Sequence, residues 1–200
     1  MGMHKERLEL FSDGVFAIIL TLLVLDLKPP ELVGLEGLRS AAPGLLVHAG
    51  AFFVIGMAWM THHQFLEHVE TIDTRMLGLN LLALFWVTLV PYGARISAEH
   101  PNDGLGVAIM TFGIALNLGS LLLMSQTGHF TSIVNDPQMV TFRTRRVRML
   151  SAHVVFGLVM SALCFSSPWF GYAYLSFGAT VLFIPSVSEA HARLLAPSDR

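Results

Sequence analysis

Apolar residues run along this chain in six blocks, each near the ~20 residues that a helix needs to cross roughly 30 Å of hydrocarbon. The blocks cover about 8–27, 43–64, 76–96, 105–126, 147–167 and 169–187. The segments KPPELVGLEG, EHVETIDTR, AEHPNDG and TGHFTSIVNDPQMVTFRTRR separate the first five, and their Pro, Gly, Asn and charged residues punctuate helices. Only SSP divides the fifth block from the sixth, a joint so short that it forces an antiparallel hairpin. The pattern predicts an all-α, polytopic membrane protein: six transmembrane helices in a single domain over 1–200. The first and fourth blocks share no Ser-Asp-Gly step, so the chain reads as one unit rather than two fused repeats.

Composition agrees with the pattern. Of 200 residues, 54% are hydrophobic and 13% charged, and the mean hydropathy is +0.62, too apolar for a soluble domain of this length. A net charge of −2 with a single basic stretch near Arg143 gives no footprint for nucleic acid. The lone Cys164 rules out an internal disulfide and reads as a small buried residue. The first block ends in LDLKPPE without a small-residue cleavage site, so it is expected to stay as a span. Lys and Arg are unevenly shared between alternate loops. Nine of the twelve (Lys5, Arg7, Arg75, Arg143, Arg145, Arg146, Arg148, Arg193, Arg200) fall on the amino-terminal side, against Lys28, Arg39 and Arg95 on the other. Positive loops stay in the cytoplasm, which predicts both termini inside and a multi-pass protein of the plasma membrane.

Ionisable groups at membrane depth are costly and mark interior contacts or ion paths. The candidates are Asp13, His48, His62, His63 and His153, with Arg7, Asp26 and Arg95 nearer the interfaces. On the first span, Phe11, Ile18, Leu22 and Leu25 fall in one stripe with Thr21 at its margin, whereas Asp13 lies roughly 140° from Ile18. The stripe is either a packing face within the chain or a seam where copies meet on a symmetry axis. A ring of aliphatic side chains on such an axis would gate by dewetting. In the second span, MAWMTHHQFLEH sets His63 and Glu67 one turn apart, a loose metal pattern without the paired histidines of a zinc helix. A buried histidine bonded to a carboxylate, Asp13 above all, is the better reading. In the third span, NLLALFWVTLVPY offers Asn80 and Trp86 as donors to the same polar cluster, with Pro91 as a kink.

The first span, RLELFSDGVFAIILTLLVLDL, resembles the signature of the transmembrane protein 175 family: an arginine, three residues, then Phe-Ser-Asp, here Arg7, Phe11, Ser12 and Asp13. The likeness extends more loosely through the second-span histidines and NLLALFWVTLVPY. It implies a potassium-permeable cation channel in the lipid bilayer, without cofactor or catalytic residues and open to other monovalent cations, built as a homotetramer whose pore is lined by the first helix. It further implies a hydrophobic gate at Ile18, Leu22 and Leu25, a selectivity hydroxyl at Thr21, and a structural polar network of Arg7, Phe11, Ser12, Asp13, His62, His63, Asn80 and Trp86. The family lacks a Thr-Val-Gly-Tyr-Gly filter. The one Gly-Tyr pair here, Gly171-Tyr172, continues as Ala-Tyr.

Asp26, at the outer mouth, would draw cations by electrostatic focusing. Two other classes compete. A proton-coupled secondary transporter would titrate a buried Asp and His during turnover, and a membrane enzyme would use His63 and Glu67; the first usually shows internal repeats and the second needs a nucleophile and base.

Overall fold

The computed structural model describes residues 5–67, 69, 71–127 and 137–178. They form six helices: α1 (Lys5–Leu22), α2 (Gly34–Leu66), α3 (Thr74–Glu99), α4 (Leu105–Met124), α5 (Pro137–Leu163) and α6 (Trp169–Phe177). A 3-10 turn, Leu23–Asp26, extends α1. Four of these, α1 with its extension, α2, α3 and α4, are long and apolar enough to cross a membrane, and α5 adds the shorter apolar stretch Val147–Leu163. The all-helical expectation holds. Positions 179–187 of the expected sixth span, and Arg193 and Arg200, lie outside the described residues.

Two helices begin earlier than the hydropathy pattern indicates. Helix α2 starts at Gly34 rather than near 43 and carries Pro43 inside it. Gly34 has φ 74°, a left-handed turn that glycine adopts without Cβ strain, so the reversal after the Pro-Pro segment is completed there and the helix starts at once. Pro43 then leaves the Arg39 carbonyl without its helical donor, a local cost that the remaining turns outweigh. Helix α5 starts at Pro137, ten residues before the apolar block, because proline fits the first turn of a helix, where its missing N–H is not needed. Helix α3 is started by Asp73, whose carboxylate accepts the Met76 N–H at 2.7 Å.

Helices α3 and α4 form the closest pair, and small residues explain why. A Cβ added at Gly106 would meet Ser97 N at 2.5 Å and Gly93 O at 2.6 Å, and one at Gly113 would meet Trp86 O at 2.7 Å. The two backbones therefore touch, as in membrane helices that associate by close packing rather than by hydrophobic exclusion. Asn117 ties the pair by donating to the Ala83 carbonyl at 3.0 Å. Helices α5 and α6 pack beyond α4, where Tyr174 donates to the His153 carbonyl at 3.3 Å and Ser161 to the Ala108 carbonyl at 3.0 Å. Helix α1 packs on α2 and α3. It buries Leu8, Ser12, Phe16 and Ile19, with Leu23 just beyond, a run of three- and four-residue steps along one face.

Candidate functional site

The buried face of α1 carries a polar anchor in the middle of apolar surroundings. Ser12, His62 and Asn80, from α1, α2 and α3, are at most 1% exposed. The Asn80 Nδ2 donates to Ser12 Oγ at 3.1 Å, and its Oδ1 lies 2.7 Å from His62 Nε2. An amide oxygen only accepts, so His62 donates from Nε2. Phe16 leans on the His62 ring at 5.5 Å between centroids. One asparagine amide thus joins three helices where no water is available to substitute.

Asp13 is partnered differently from the expectation. Its Oδ1 accepts the Trp59 indole N–H at 2.8 Å, and Trp59 in turn stacks on His63 at 5.7 Å. Successive helical residues point about 100° apart, so with Ser12 aimed at α3, Asp13 turns to the flank of α2, where Trp59 stands one turn before His63. Trp59 escaped the sequence reading. The signal available was that an indole N–H in an apolar span needs an acceptor. Trp86, expected in this cluster, instead packs its ring edge-on against Phe85 and Phe112, because six positions after Asn80 the helix has turned it toward α4. Arg7 is exposed at the start of α1. At that end it is Lys5 that donates to the Glu67 carbonyl, at 2.9 Å, and pairs with Glu9 at 3.6 Å.

The opposite face of α1 is left uncovered by the described residues. Phe11 is 50% exposed, Ile18 59%, Leu22 48% and Leu25 76%, and Thr21 between them is exposed while its hydroxyl donates to the Ile18 carbonyl at 2.9 Å. Among the described residues, then, nothing packs over the stripe. The 3-10 turn sharpens it, since at three residues per turn Leu25 eclipses Leu22. Ile18, Leu22 and Leu25 form one wall of a groove whose other wall is Thr88, Tyr92 and Arg95 of α3.

At the far end of that groove Asp26 is not a free anion. Arg95 Nη1 lies 3.6 Å from its carboxylate and Arg95 Nε 3.4 Å from Glu99, which Lys28 also meets at 2.8 Å. Among the described residues no three His, Cys, Asp or Glu side chains come together as metal ligands, so His63 and Glu67 gather no third group.

The sequence profile of endosomal/lysosomal potassium channel TMEM175 matches residues 7–91, the stretch from Arg7 to Pro91 that holds the whole anchor. A protein of Streptomyces collinus named as a potassium channel is 33% identical over 178 residues, which is 82% of this chain and 85% of that protein. The chain belongs to the TMEM175 family. A Gallus gallus relative named as the endosomal/lysosomal proton channel TMEM175 is 38% identical over 110 residues, 48% of this chain but only 22% of that longer protein. The crystal structure of a TMEM175 homolog from Chamaesiphon minutus superposes with a TM-score of 0.72 over 90% of this chain and 95% of the other at 24% identity, which shows a common fold.

Proposed function

We propose that this chain is a potassium-permeable cation channel of the plasma membrane, with six spans per subunit, both termini in the cytoplasm, and four copies arranged so that α1 lines a central pore. One observation carries the reading. The first helix is fixed on one face by the Ser12–Asn80–His62 contacts and the Asp13–Trp59 bond, while its opposite face presents an aliphatic stripe that the described residues leave exposed. A helix built this way can meet its symmetry mates without losing its own subunit. Ile18, Leu22 and Leu25 from four copies then form an oily ring that excludes water unless it widens, a hydrophobic gate in place of a carbonyl-lined filter. Thr21, its proton held by the Ile18 carbonyl, turns oxygen lone pairs toward the axis and takes the place of part of an ion's hydration shell.

Kinship with proteins named as potassium channels supports the choice of ion, and the name of the avian relative makes protons a cation to be measured beside it. The test is cysteine substitution along 14–26 in liposomes carrying the full chain, with a water-soluble thiol reagent and potassium current as the readout. Current that follows the potassium gradient and is blocked through Ile18→Cys, Leu22→Cys and Leu25→Cys is expected. Block from another helix overturns the pore assignment. Slow, saturable flux in place of current marks a carrier, and no flux removes transport altogether.

A further inference from the structure

The carboxylate at the far mouth of the groove is cancelled by charges the sequence pattern gave no reason to join to it. Asp26 and Lys28 follow α1; Arg95 and Glu99 stand one turn apart on α3, and all four meet within 3.6 Å steps. Two acids and two bases sum to zero. Arg95 is the member that touches both acids, and it shares the groove with Ile18, Leu22 and Leu25, so its charge lies along the surface that leads to the proposed constriction. Its side chain is 56% exposed, which leaves its field felt in the water of the mouth.

We propose that Arg95 limits how readily cations reach the constriction, by cancelling the charge of Asp26, and that without it the same mouth becomes an anionic funnel. The inference rests on the pore reading above. Removing Arg95 leaves one uncancelled negative charge per subunit, four around a tetrameric mouth, and a fixed charge in such a vestibule raises the local cation concentration. The effect belongs to charge and not to shape, so it fades as salt shortens the screening length from about 30 Å at 0.01 M to about 3 Å at 1 M.

The experiment is single-channel potassium conductance of the full chain in lipid, measured from about 10 mM to about 1 M KCl, for Arg95→Gln, Arg95→Lys, Asp26→Asn and the double variant Arg95→Gln/Asp26→Asn. Arg95→Gln is expected to raise conductance about threefold at the lowest salt and to match the parent at the highest. Asp26→Asn lowers it, Arg95→Lys resembles the parent, and the double variant returns near it. If the ion pair only braced the fold, both single variants would change conductance in the same direction at every salt, and that outcome overturns the proposal. Should Arg95→Gln fail to assemble, Arg95→Cys treated after reconstitution with positively and negatively charged thiol reagents carries the same test, since Cys164 is 1% exposed. Opposite shifts are expected, and equal shifts overturn it. A parent protein without potassium current overturns the pore reading and this inference together, whereas parent current with unaltered salt dependence in Arg95→Gln overturns this inference alone.

Discussion

Asn80 uses both ends of its amide on other helices, which makes it the residue whose loss travels furthest. Asn80→Leu leaves His62 Nε2 and Ser12 Oγ buried without a partner, and each orphan costs about 1–3 kcal/mol in a dry interior. Membrane proteins recover part of this by local rearrangement. The expected net loss is about 2 kcal/mol, read as a fall of roughly 4–8 °C in the melting temperature of the detergent-solubilised protein. Asn80→Asp keeps the acceptor for His62 but not the donor to Ser12, and is expected to fall between. For Asp13 and Trp59, Asp13→Ala and Trp59→Phe are expected to be non-additive by about 1 kcal/mol in a double-mutant cycle, since both remove the same bond. The members of this site stand out in the sequence because they are polar residues in apolar runs: Ser12, Asp13, His62 and Asn80 are all legible in that way. Their pairing is not. Which of two neighbouring residues, Ser12 or Asp13, faces α3 depends on how the helices rotate against one another, and that is set by long-range packing around Phe16 and Ile19. Trp59 was hidden for the opposite reason, an aromatic looking at home among apolar neighbours until its N–H is considered.

At the scale of helices, the glycines of the α3–α4 seam carry the strongest expectation. Gly106→Ala puts a methyl carbon 2.5 Å from a backbone nitrogen that cannot move alone, so the helices must separate. Loss of the monodisperse peak in size-exclusion chromatography is expected, while Gly56→Ala, whose added carbon meets nothing within 4 Å, is expected to elute as the parent does. Hydropathy located the four long apolar helices because a helix in hydrocarbon must be apolar over a fixed length. It set the starts of α2 and α5 too late because helical hydrogen bonding continues past the apolar block wherever capping and turn geometry allow. Nothing in LVLD announces that α1 tightens into a 3-10 turn; the change of winding answers to the ion pairs and packing at its end, which are tertiary.

For the whole molecule, the proposed four-copy pore predicts an assembly four times the 21.9 kDa chain in a mass measurement of the detergent complex. Oxidation of Ile18→Cys is expected to yield covalent dimers within that assembly, because like residues face each other across a shared axis. A monomeric mass would contradict the proposed pore.

The length of α2 has a consequence of its own. Its 33 residues span about 50 Å, roughly 20 Å more than the oil it crosses. Most of the surplus falls at the amino-terminal end, before the apolar block that starts near 43, where Glu36 and Arg39 lie on the helix. With the apolar turns after Pro43 in the bilayer, that end is expected to stand clear of it as a parapet, a rim above the membrane surface. A fluorophore placed at Leu35 is expected to answer to an aqueous quencher and one at Phe52 to a lipid-borne quencher, so the helix serves as a graduated staff for reading the level of the membrane against the protein.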